Sequence, residues 1–328
     1  MKILRIFIVG SVLTALAFCL ISAISKPWGF WAHKRINRLA TFTLPPNMIV
    51  FYKKNLEYIT EHAVDPDKRR YALEEEAARH YIDIDHYGEY PWDMVPHRWE
   101  DAVNRFTEDT LKAYGIVPWH TEKMFYSLTN AFKDKNIPLI LKYSADIGHY
   151  IADGHVPLHT SENYNGQKTG QEGIHGFWES RVPELMGESY DYFVGKANYI
   201  ENPNAFIWEY ILESAVEADS VLHFEKLLND RFPSDQKYTF EDRGAVLTKV
   251  YSQEYTKAYS EMLDNMVERR IRKTIIDVGS LWFTAWVNAG QPDLGDLPEY
   301  KLSKEDEEDL KKLDEALKGG VIKGRSCQ

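Results

Sequence analysis

Apolar residues recur at three- and four-residue spacing along most of the chain, the pattern of helices that each turn one face inward. Ala32, Ile36, Leu39 and Ala40 share one such face, and Pro45-Pro46 closes the run. This predicts a helix that starts near Trp31 and carries His33 in its first turn. A second helix is predicted over residues 47–62, then a polar turn Asp65-Pro66-Asp67-Lys68-Arg69-Arg70, then a segment over 75–81. Residues 99–114, 122–133 and 138–151 repeat the spacing between Pro, Gly or polar boundaries. Further helices are predicted over 206–228 and from Tyr238 or Glu241 to about 288. The last of these puts Ile271, Ile275, Val278, Leu281, Trp282 and Trp286 on one stripe, wide enough to be core. No stretch reads as a β-strand, so the fold class is all-α, a multi-helix single domain.

Three stretches break the pattern. Lys2 and Arg5 precede an apolar run over residues 6–24 that closes on Ala23-Ile24-Ser25, which reads as an export signal over 1–25. The chain is then periplasmic or secreted, or membrane-anchored if the run stays uncleaved. Residues 160–173 are a long Gly-rich polar loop between His159 and His175, a length that is usually functional or disordered. Beyond about residue 293 the composition turns highly charged. There Ser303 and Asp306 cap a short helix that stops at Gly319, read as a solvated face with no catalytic role. The predicted organisation is therefore a signal (1–25), a helical domain (26–293) and a charged tail (294–328).

With 328 residues, 44% of them hydrophobic, the chain can bury a substantial core. A formal net charge of -11 argues against wrapping nucleic acid through a general basic surface, so an anionic substrate needs a local positive centre. Cys19 and Cys327 are the two cysteines, which leaves metal ligation to His, Asp, Glu and backbone.

The candidate chemistry centres on His149-x-x-x-Asp153. Residues four apart on a helix project from one face. Gly154 and Pro157 then end that helix, and because the residue before a proline is pushed out of the α region, Val156 should be extended, returning His159 toward the same point. His175-x-x-x-Glu179 is a second pair of this kind. With His33, Asp65 and His80 the candidates are eight imidazoles and carboxylates, too many for one tetrahedral ion and suited to a cluster. His62, His86, His97, His120, His155 and His223 read as structural or surface residues, His86 being nearest the site.

The order Trp28, His33, Asp65, His80, His149-x-x-x-Asp153-x-x-x-x-x-His159, His175-x-x-x-Glu179 resembles the zinc-dependent phospholipase C and single-strand-specific (S-one/P-one type) nuclease superfamily. The resemblance spans residues 28 to about 290. It implies an all-helical hydrolase with three zinc ions, cleaving phosphodiesters through a zinc-bound hydroxide. One zinc would take Asp65, His80, His149 and a shared Asp153; a second Asp153, His33 and the amine and carbonyl of Trp28; the third His159, His175 and Glu179. Asp65 would also orient the nucleophile. Lys68, with Arg70 as fallback, is the candidate cation for the phosphate, against the plain reading of a surface charge. Tyr81 and Asp83 would contact a nucleobase or a lipid headgroup, or Tyr81 would simply be core. Phe30, Trp31, Tyr164 and Trp178 are expected to shape the entrance. The implied substrate is phospholipid or single-stranded nucleic acid, with a membrane surface as a further contact and no stable protein partner. The alternative is a membrane-tethered, non-catalytic metal-binding protein.

Overall fold

In the computed structural model, which describes residues 29–243, 246–323 and 325, the first apolar stripe forms helix α1 (Phe30–Ala40) with His33, Ile36, Asn37 and Ala40 buried. The stretch expected as one helix over 47–62 is two, α2 (Pro46–Lys54) and α3 (Leu56–Glu61). Asn55 divides them: its amide donates to the Phe51 carbonyl (2.9 Å), a local bond by which Asn competes with the helix ladder. The polar turn winds into the short helix α4 (Asp65–Arg69), and Glu74–Arg79 is 3-10 rather than α. Residues 99–114 also divide, into α5 (Trp99–Phe106) and α6 (Glu108–Tyr114), because the Thr107 hydroxyl accepts from the Thr110 N–H and caps α6.

Helix α7 (Val117–Lys133) starts earlier than its apolar spacing suggested, with Pro118 in the first turn where a missing N–H costs nothing. Helix α8 (Ile137–Gly154) ends at Gly154, and Val156 is extended (φ -84°, ψ 115°) as Pro157 requires. Next comes α9, a continuous run of Ile174–Gly176, Phe177–Arg181 and Val182–Met186 whose middle section is a π-helix. Helix α10 is Pro203–Asn229. The expectation of helix from Tyr238 or Glu241, and of no strand at all, is corrected here. Strands β1 (Tyr238–Arg243) and β2 (Val246–Tyr251) pair antiparallel, Tyr238 opposite Tyr251. Alternating half-buried positions and β-branched residues favour this over a helix. Helices α11 (Gln253–Met262), α12 (Met266–Asn288) and α13 (Lys304–Gly319) complete the chain, α13 with the expected Ser303/Asp306 capping box and a left-handed Gly320 as its stop. Among the described residues the fold is thus all-α apart from one hairpin.

From Ser144 to Gly154, α8 is buried on every face, enclosed by α1, α7 and α12. Trp282 of α12 stacks on Tyr52 (4.9 Å between centroids) and donates from Nε1 to the Ser144 carbonyl (3.1 Å). Gly148 sets the α1–α8 spacing, since a Cβ there would lie 2.0 Å from Asn37 Oδ1. Asn37 in turn donates to the Ala145 carbonyl (3.0 Å). Close backbone approach at Gly148 is what lets His33 stack on His149 (4.0 Å, 21°).

His120 on α7 lies edge-on to Tyr150 (4.6 Å), and burial, reinforced by Arg79, pushes its pKa down to about 3. A folded-state pKa below the unfolded value means stability that is complete above about pH 6.5 and lost as pH falls toward 3. Partial exposure reduces the full linkage value, to about 2 kcal/mol lost between pH 7 and pH 4.5. A His120→Gln chain is expected to lose that share of the acid sensitivity, read from urea unfolding at the two pH values in the presence of a chelator.

No helix of the described residues is long and apolar enough to cross a membrane. The expected signal over residues 1–25 and the expected ligand Trp28 lie outside the described residues.

Candidate metal centre

Seven of the expected side chains converge although they come from α1, the segment after the 3-10 turn, α8, the Pro157–Thr160 turn and α9. Asp153 is the pivot. Its Oδ2 lies 2.8 Å from His80 Nδ1 and 3.2 Å from His149 Nε2, and its Oδ1 3.5 Å from His33 Nε2. Glu179 plays the same part on the other side, with Oε2 2.8 Å from His175 Nε2 and 3.6 Å from His159 Nε2, and Oε1 3.6 Å from His33 Nε2. His33 therefore joins the two halves. The π-helical section places Glu179 on the face of His175, a local winding that often marks functional sites.

Asp65 is not part of this convergence. Its Oδ2 meets His62 Nδ1 at 2.6 Å and its Oδ1 lies 3.5 Å from Lys68 Nζ. The carboxylate that α4 brings to the cluster is Asp67, with Oδ1 3.8 Å from His149 Nε2 and 3.9 Å from His80 Nδ1. Residues two apart on a helix point to nearly opposite sides, so Asp67 meets the cluster while Asp65, also buried, turns toward His62 and Lys68. Lys68 is turned away as well, bound to Asp314 of α13 at 3.0 Å, and its pKa is raised by Asp65 and Asp314 against the opposing effect of burial. Arg70 is an ion-pair partner of Asp67 (3.6 Å).

Among the described residues, four sets of donor atoms lie close enough to hold an ion: His33/Asp67/His149, His80/His149/Asp153, His159/His175/Glu179 and His33/Asp153/Glu179. The fit is tested by the far nitrogens. His149 Nδ1 donates to the Ala63 carbonyl (2.9 Å), His175 Nδ1 to the Tyr164 carbonyl (3.1 Å), and His159 Nδ1 to the His80 carbonyl. A carbonyl accepts only from N–H, so each ring is fixed with Nε2 toward the cluster, the orientation metal-binding histidines need. His80 is held from behind instead, its Nε2 3.7 Å from a buried Glu76. Glu76 is itself tied to Arg69, Arg79 (2.5 Å) and Tyr150, and although burial opposes ionisation, hydrogen bonding to His80 and the charge of Arg69 hold its pKa below the normal carboxylate value. This supporting network escaped the sequence reading.

Burial opposes ionisation of Asp153, yet His149 and His159 beside it hold its pKa well below the usual value. Glu179 is likewise disfavoured by burial and pulled well down by hydrogen bonds to His159, His175 and His33. Burial lowers the His175 pKa, whereas at His149 Asp153 and Asp67 outweigh burial and raise it to about 9. The pocket demands positive charge. In the metal-free chain a proton on His149 supplies part of it, so cations compete with protons and bind less tightly as pH falls.

Tyr81 and Asp83, which follow His80 in the chain, are each buried. Tyr81 is fixed by Val117 N–H to its carbonyl (3.1 Å), and Gly115 permits this approach, since a Cβ there would lie 2.1 Å from the Tyr81 carbonyl oxygen. The 160–173 loop is internally hydrogen-bonded, with Asn163 Oδ1 accepting from Lys168 N–H (2.8 Å) and Gln171 Nε2 donating to Glu225 (2.7 Å). Trp178 is buried in the core.

No protein-family model matches the sequence, and no curated protein does. Among solved structures the chain is similar to an alpha toxin from Clostridium absonum, with 14% identity and a TM-score of 0.42 over 78% of this chain and 65% of that one. It is similar also to the Clostridium perfringens alpha-toxin of an avian strain, with 15% identity and a TM-score of 0.42 over 82% of this chain and 66% of that one. The chain thus spans slightly less than two thirds of the length of either toxin.

Proposed function

We propose that the protein is a zinc-dependent hydrolase of phosphodiesters, exported to act on phospholipid or single-stranded nucleic acid. The observation that carries this reading is the convergence of five imidazoles with Asp67, Asp153 and Glu179, three of those rings locked with Nε2 inward by backbone carbonyls. His80, His149 and Asp153 would hold one ion, with Asp67 alongside; His159, His175 and Glu179 a second; and His33, between Asp153 and Glu179, a third. Zinc there supplies a Lewis acid for the phosphoryl oxygens and lowers the pKa of bound water toward about 7.

The chain's own groups account for the rest. Asp153 and Glu179, held ionised, fix the spacing of the two halves. Asp67 retains about 20% side-chain exposure, more than the other carboxylates of the cluster, which gives it access to the attacking water and fits it to take that proton. Three carboxylates against several divalent ions leave a net positive pocket inside an acidic chain, which is what an anionic ester requires.

Chelator-treated protein reloaded with zinc is expected to cleave bis(p-nitrophenyl) phosphate, while the stripped protein does not. Equal zinc-loaded samples on phosphatidylcholine vesicles and on single-stranded DNA separate the two substrate classes. Stoichiometric zinc uptake with no cleavage of any of the three would instead support a non-catalytic metal-binding protein.

A further inference from the structure

The C-terminal tail, expected to be a solvated appendage, returns to the cluster. Helix α13 lies on α4 through the Lys68–Asp314 pair, and beyond Gly320 the chain is clasped to the segment after α4. Lys323 N–H donates to the Arg70 carbonyl (2.9 Å), Lys323 Nζ to the Ala72 carbonyl (2.8 Å), and Arg70 Nη2 to the Arg325 carbonyl (2.6 Å). The Arg325 guanidinium stacks over Tyr164 (3.6 Å from the ring centroid) and Tyr81 (4.0 Å). One of its amino groups donates to Asp83 Oδ1 and the other to the Ser161 carbonyl (3.1 Å).

Three walls of this clamp are tied to a cluster residue. Tyr81 follows His80, Ser161 follows His159 by two positions, and the Tyr164 carbonyl fixes His175. Asp85, bound to Ser161 Oγ (2.8 Å) and Glu162 N–H (3.0 Å), adds negative charge nearby. Two aromatic faces, a carboxylate and a carbonyl satisfy a planar cation from above and from its edge. We propose that Tyr81, Tyr164, Asp83 and the Ser161 carbonyl form a binding clamp for a guanidinium cation, with Arg325 as its intramolecular ligand, so that the tail closes this side of the metal centre until it is displaced. The clamp stands on its own contacts; its effect on catalysis rests on the proposed hydrolase activity.

The test uses the full-length chain without metal and a fluorescent peptide of residues 321–328. An Arg325→Ala chain, its clamp vacated, is expected to bind the peptide at least tenfold more tightly than the unaltered chain. Adding Asp83→Asn to Arg325→Ala should cost at least tenfold of that affinity, and a peptide with glutamine for its arginine should not bind. Equal affinity for the unaltered and Arg325→Ala chains, or binding indifferent to Asp83→Asn, overturns the proposal. In zinc-loaded protein, Arg325→Ala should raise kcat/KM several-fold, and the peptide should inhibit it competitively. Peptide binding without hydrolysis in either chain would uphold the clamp and sink the hydrolase reading. Hydrolysis with neither peptide binding nor a change in kcat/KM would do the reverse.

Discussion

Replacing Asp153 by asparagine is expected to abolish phosphodiester hydrolysis and to strip most of the zinc, with the helical fold kept. Asp153 lies within reach of three imidazoles, His33, His80 and His149, two of them at 3.2 Å or less, and it contributes to two donor sets. An asparagine of the same shape fills its space but withdraws the negative charge that sits between His80, His149 and His33, leaving Asp67 and Glu179 at the two sides. Removing outer partners of a metal ligand typically costs 10- to 100-fold in affinity or activity, and a shared carboxylate at the centre should exceed that, with about a thousandfold loss or more. Zinc per chain by mass spectrometry, far-UV circular dichroism and the rate on bis(p-nitrophenyl) phosphate are the measurements. A variant that keeps its zinc and more than a tenth of its rate would remove Asp153 from the centre.

The second large effect separates Asp67 from Asp65. Asp67→Asn is expected to lower kcat/KM by about a hundredfold or more, since this carboxylate faces both His80 and His149 and is the most exposed of the three in the cluster. Asp65→Asn should stay within about tenfold of the unaltered rate, its cost falling on stability through the lost His62 contact at 2.6 Å. The reverse ranking would return the catalytic carboxylate to Asp65.

These two variants also mark where the sequence stops being informative. His149, Asp153 and His159 were legible because helical spacing and the Gly154/Pro157 break are local rules, and α8 ends as they dictate. His175 and Glu179 were legible for the same reason, though the π-winding between them was not. Asp65 and Asp67 lie two residues apart on a helix of five residues, and which of them meets the cluster depends on how α4 packs on α8, a tertiary fact. The breaks at Asn55 and Thr107 were missed because each depends on one side-chain hydrogen bond that leaves the apolar periodicity intact. The hairpin was missed because charged residues interrupt its alternation. Arg325 carries no local signal, and its partners Asp83 and Tyr164 lie far away in the chain.

Helix α13 buries none of its residues, and the segment that follows is held by hydrogen bonds and ion pairs. Partly exposed pairs such as Lys68–Asp314 weaken as dissolved ions screen them, over a distance of about 10 Å at 0.1 M and about 3 Å at 1 M, whereas the buried Arg325–Asp83 pair is screened much less. Ionic strength therefore sets how firmly α13 lies down more than how firmly Arg325 is held, and fresh water and brine should present two differently accessible versions of one chain.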